Sequence, residues 1–158
     1  MTERLVILTL TRIEAAHLRD LVTQFATLVE STPTAADPAL ERLTPDAYPD
    51  DPDAADDFRS VTRGDLLGRR AQDAATVLRD LSAIEEAPLE DALSPVDVSI
   101  AGDALEAWLR TLAAVRLVLA SRLGIESAED HDDEDPRFAL YDWLGYRLDG
   151  LLQAADGA

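Results

Sequence analysis

Cysteine and lysine are both absent from this chain, and methionine occurs once, at Met1. The lack of cysteine excludes disulfides, thiolate nucleophiles, cysteine-ligated zinc and any thiol redox switch. One methionine offers no substitute through sulfoxide chemistry. Long apolar runs are missing too. Leu5-Val6-Ile7-Leu8 falls far short of the roughly 18 residues that a membrane span needs, and no cleavable N-terminal signal is read. A soluble cytoplasmic protein is therefore expected.

Catalytic signatures are equally scarce. No Gly-x-Ser-x-Gly elbow occurs. Gly64-x-x-x-Gly68 has neither the lysine nor the preceding strand of a phosphate loop, and its glycines read as letting another helix approach closely. Carboxylate pairs are abundant, but with no aromatic sugar platform a glycosidase pair does not stand out. The chain reads as non-enzymatic, with no catalytic residue, no cofactor and no metal site.

Acid is what the chain has in quantity: 32 Asp and Glu against 14 basic residues, all of them Arg, for a net charge of −18. Such a field repels phosphate and anionic lipid, so neither direct nucleic-acid binding nor membrane binding is expected. Arg69-Arg70 is the densest basic cluster, too little for a DNA-binding face. Solubility and a GC-rich or salt-adapted genome account for the imbalance in the plain reading. An acidic surface docking on a basic protein partner accounts for it in the sharper one.

With 158 residues and 47% hydrophobic content, a single globular domain over 1–158 is expected, with a mobile acidic loop around 126–135. The fold class is mainly α: a compact domain of four to five helices with a minor two-stranded β ribbon. Residues 4–10 and 96–100 alternate like short strands. Thr11-Arg12-Ile13-Glu14 is a capping box opening a helix to about Val29, striped by Leu18, Leu21, Val22, Phe25, Leu28 and Val29. Helices are expected near 63–81, 103–123 and 136–153, the last opening at Asp135-Pro136, a cap followed by proline. LTLTRIEAAHLRDL and VSIAGDALEAWLRTL share a strand-then-helix pattern, which suggests a ribbon laid beside two similarly placed helices.

The segment Asp37–Leu66, DPALERLTPDAYPDDPDAADDFRSVTRGDL, is heavily punctuated by prolines and capping residues. Pro52 to about Ser60 reads as a short helix presenting Phe58. Thr62-Arg63-Gly64-Asp65 reads as a variant capping box with Asp65 at its acidic position. From Phe58 to Leu67 the apolar stripe shifts by half a turn, at roughly 100° per residue, so a break is expected at Thr62. Tyr48, between Ala47 and Pro49, has the form of a plug for a helix interface.

ERLTPDAY, DDFRSVTRGDL, AWLRTLAAVRLVLASRLGI and YDWLG occur in this order along most of the chain. Together they resemble successive blocks of the actinobacterial domain-of-unknown-function family 2017. In the third block, Ala113-Ala114 and Ala120-Ser121 stand where members tend to carry Asn-Asp and Gly-Thr. The resemblance implies a regulator, since members are labelled putative transcriptional regulators linked to oxidative stress. It implies no reaction.

Arg116 is the anomaly among the side chains. The stripe of its helix is Leu105, Trp108, Leu109, Leu112, Val115 and Leu119, and Arg116 falls near the middle of it. A guanidinium there is expected to be buried or half-buried, held by a carboxylate of the Asp-rich central segment or by a bound anion. Arg42 and Arg59 are read as serving that segment in the same way, while Arg122 points elsewhere. Glu126–Asp135, ESAEDHDDED, lacks the glycine turn and closing glutamate of an EF-hand and reads as solvated loop. His17, with no second histidine at ligand spacing, reads as a partly buried packing residue.

The functional expectation is a regulatory or adaptor module acting through protein contacts, with a second copy of the chain among the candidate partners. An anion or small-ligand sensor anchored by Arg116 is the alternative. A hydrolase ranks last.

Overall fold

The computed structural model describes residues 5–30, 52–85, 87–125, 128–132 and 134–156, and within these the side chains of 52–64 and 128 lie outside the description. Strand β1 (Leu5–Thr11) runs straight into helix α1 (Arg12–Glu30). Helix α2 spans Pro52–Ser82, strand β2 Pro95–Ala101, helix α3 Leu105–Leu123 and helix α4 Ala139–Asp156. The result is the mainly α architecture expected, with one two-stranded antiparallel sheet among the described residues.

Alternation decides how the ribbon sits. Val6, Leu8 and Leu10 are buried while Leu5, Ile7 and Thr9 face outward. The register pairs Val6 with Ile100, Leu8 with Val98 and Leu10 with Val96, which puts one apolar row against the helices. A one-residue slip would turn that row to water. A two-stranded ribbon is marginal alone, so its stability comes from this packing.

At the β1–α1 junction the capping box forms as expected. The Thr11 backbone N–H donates to Glu14 Oε1 at 3.0 Å, and the Glu14 N–H donates to Thr11 Oγ1 at 3.2 Å. Ala15, Leu18, Val22, Phe25 and Val29 then form the buried stripe of α1. The helices pack in chain order, α1 on α2, α2 on α3 and α3 on α4, and α4 returns to β1. Trp108, fully buried, donates its indole N–H to Asp80 at 2.8 Å and so ties α3 to α2 without leaving a buried donor unpaired. Arg110 grips Asp73 with two nitrogens at 2.9 and 3.3 Å across the same pair of helices.

Helix α3 ends at Gly124, whose φ of 76° is the left-handed conformation that glycine adopts without a steric penalty. Ile125 N–H then reaches back to the Ala120 carbonyl at 2.8 Å. The Ile125 side chain is buried with Ala120 and Phe138 in a second small core. Asp135 opens the last helical segment by accepting from Arg137 N–H at 3.0 Å, and Pro136–Phe138 form one 3₁₀ turn before α4.

Three expectations need correction. No break occurs at Thr62, because α2 is one helix of 31 residues. A shift in the apolar stripe changes which neighbour each half of a helix meets, without requiring the backbone to stop. Gly68 brings no helix close among the described residues, since a side chain there would meet none of them within 4 Å. His17 is exposed on α1, one position before the buried Leu18.

Candidate functional site

Glu14 is the junction of three elements. One oxygen completes the capping box, and the other accepts from the Trp143 indole N–H at 2.5 Å and from Arg147 Nη2 at 2.8 Å. Arg147 also donates to the Thr9 carbonyl of β1 at 3.4 Å. Partial burial pushes the Glu14 carboxyl up, but the bonds from Arg147, the Thr11 N–H and Trp143, with the Arg147 charge, outweigh it and lower it to about 2. The cap of α1 is therefore also the clasp that fixes α4 on the sheet.

Arg116 projects from α3 onto another face of α4. It is half-buried, as its place in the stripe implies. Its Nε donates to the Tyr141 carbonyl at 3.3 Å, and the guanidinium carbon sits 4.0 Å from the centre of the Tyr141 ring, in cation–π range. Gly145, one turn on, leaves the space that the guanidinium fills. Among the described residues no carboxylate forms an ion pair with Arg116. The expected partner segment lies mostly outside them.

His131 closes the outer side of this cluster. Its Nε2 is 2.6 Å from Asp142 Oδ1, and its ring centre lies 5.3 Å from that of Phe138 and 5.9 Å from that of Tyr141. The YDWLG block is thereby explained residue by residue. Tyr141 receives Arg116, Asp142 receives His131, Trp143 binds Glu14, Leu144 is core, and Gly145 makes room.

A separate groove of ≈ 610 Å³ opens where α1 begins and α2 ends. Arg12 and Arg19 stand on one face of α1 with Ala15 and Ala16 between them, facing Leu81 and Ile84. The connection from α2 to β2 forms the far wall. It is clamped to α1 by Arg12 N–H on the Ser94 carbonyl, Ile13 N–H on the Ala92 carbonyl (both 2.9 Å) and Arg12 Nη1 on the Glu85 carbonyl at 2.8 Å. Leu89 and Leu93 on this connection are 87% and 79% exposed, in the company of exposed Glu85, Glu90 and Asp91.

Of the residues singled out from sequence, Arg42 and Tyr48 lie outside the described residues, as do the side chains of Phe58 and Arg59 on α2. Asp65 is exposed inside α2 and does not cap a helix start. Arg122 is exposed in the last turn of α3, where a cation favours the helix dipole. Sequence reasoning missed Arg147 and the Glu14–Trp143 link, which join positions 129 residues apart. It also missed the groove, whose walls come from three separate stretches. The clustering of Tyr141, Asp142, Trp143 and Gly145 in one block was the available signal. Among the described residues, no group of three or more His, Asp or Glu is placed to hold a metal ion, and no helix is long and apolar enough to cross a membrane.

No curated protein and no solved structure is significantly similar to the chain. The family described as Domain of unknown function (DUF2017) matches residues 1–155, nearly the full length, and the chain belongs to that family.

Proposed function

We propose that this protein is a non-enzymatic regulatory or adaptor module of the cytoplasm that acts through protein–protein contacts, in transcriptional or stress regulation. The carrying observation is the display of Leu89 and Leu93 at 87% and 79% exposure on a connection whose backbone is clamped to α1. Scattered exposed leucines need no explanation. Two on a pre-ordered connection beside a groove are what a partner can cover at small entropic cost. The test is affinity capture from the native host with the full chain as bait, read by mass spectrometry. Reproducible capture of a protein that co-purifies in stoichiometric amount supports the reading, and its failure under mild salt removes it.

A second reading has its own observation. The described partners of Arg116 are a carbonyl and a ring, both neutral, so its charge is uncompensated among the described residues. An anion sensor anchored there predicts that phosphate or sulfate raises the melting temperature of the wild type and not of Arg116→Met. Equal shifts in both chains would remove this reading.

A further inference from the structure

The groove beside α1 and the leucine-bearing connection next to it form one surface with a definite chemical character. Ile13 and Leu89 belong to both the groove lining and the exposed apolar set. Exposed Asp20 and Glu85 line the same groove, and exposed Glu90 and Asp91 continue the acidic rim past Leu89. Arg12 donates to the neutral Glu85 carbonyl and keeps its charge, so Arg12 and Arg19 balance Asp20 and Glu85, and Glu90 and Asp91 leave this face with an acidic excess. The chain as a whole carries a net charge of −18.

We propose that this face is the docking site for a cationic amphipathic helix of a partner protein, its apolar side chains seated between Ile13, Leu81, Ile84 and Leu89 and its Arg or Lys rim on the acidic border. The inference rests on the adaptor reading and names the chemistry of the partner. Helices recognised in grooves present apolar anchors at i, i+3, i+4 and i+7, and a volume of this size takes one such row. Charge selects the sign of the rim. An acidic helix would approach against the field of the whole molecule, whereas a basic one is drawn in by it, with an association rate that falls as salt rises. The same field disfavours nucleic acid and anionic lipid as occupants, and it opposes a second copy of the chain.

The experiment uses the full chain and three labelled helical peptides, read by fluorescence anisotropy: one with leucines in an amphipathic stripe and a Lys/Arg rim, one with the rim changed to Glu, and one with the basic rim but alanine in place of leucine. The cationic leucine peptide is expected to bind, about tenfold or more tighter than either control, and to weaken with salt. Leu89→Ser combined with Leu93→Ser, and separately Ala16→Phe to fill the groove, are expected to weaken it about tenfold. All three changed side chains are exposed, so an unaltered circular dichroism spectrum and melting temperature certify the fold. Equal affinity for wild type and both variants would mean that bulk charge alone binds the peptide, and the assignment falls. Tight binding of the acidic peptide overturns it as well. So does a concentration-dependent self-association abolished by the leucine substitutions, which would make the face a contact between copies. A host protein captured equally by wild type and by the leucine variant would leave the adaptor reading standing and overturn only this face.

Discussion

The guanidinium of Arg116 occupies the space that a side chain on residue 145 would fill. A Cβ on Gly145 would lie 2.9 Å from Arg116 Nη2 and 3.0 Å from its Nε and Cζ. Helix α4 thus has a glycine in its interior, where alanine would be favoured by about 1 kcal/mol. The two effects separate in a double-mutant cycle. Gly145→Ala in the wild type should be neutral or destabilising, because Arg116 must leave Tyr141. In an Arg116→Ala background it should stabilise by about 1 kcal/mol. Urea denaturation of the four proteins checks this, and additivity within error would show that the two residues do not compete.

Arg116→Met should cost about 1–2 kcal/mol, the sum of one cation–π contact and one hydrogen bond to a carbonyl. A loss of about 3–5 kcal/mol would instead be the signature of a carboxylate left buried and unpaired. Thermal or urea unfolding distinguishes the two. Tyr141→Leu, which keeps the carbonyl and removes the ring, should account for about half of the smaller effect.

The Glu14 clasp should be sensitive to acid. Its carboxyl sits at about 2 in the folded chain, below its ordinary 4.5, so the folded state favours the ionised form. Its contribution is complete above about 4.5 and is lost as pH falls through that window towards 2. The upper bound is about 3 kcal/mol, reduced because the side chain remains 24% exposed. Glu14→Gln should therefore be less stable than the wild type at about neutral pH, with the difference shrinking as pH drops below the ordinary carboxyl value. A difference independent of pH would show that shape and not charge carries the clasp.

Duplex DNA should not bind this chain alone at physiological salt. The −18 charge has to be overcome before any counterion release is gained. A gel shift or anisotropy titration should reveal no complex tighter than the roughly 10⁻⁶ M limit of non-specific binding. A salt-sensitive dissociation constant below that limit would defeat the expectation.

Local rules of chain geometry made much of the architecture legible in the sequence. Period-2 alternation placed both strands within a residue or so at each end, and the Thr11–Glu14 spacing announced a cap that forms as written. Helical spacing located the buried rows of α1 and α3, and it put Arg116 on a half-buried face before any neighbour was known. These features depend on residues within about two turns of one another, and such residues meet whatever the rest of the chain does. Continuity of α2 through Thr62 was not legible in the same way, since capping residues prefer a helix start but do not compel one. The rest was decided by contacts between distant stretches. Glu14 is a capping residue by its local sequence, and only the packing of α4 on β1 makes it the acceptor for Trp143 and Arg147 as well. Arg116 meets Tyr141 and Gly145 because α3 packs on α4, a partner that one-dimensional periodicity cannot choose. The groove exists only where the start of α1, the end of α2 and the connection to β2 converge. Periodicity tells each element which face to bury, and the tertiary structure settles which other face covers it.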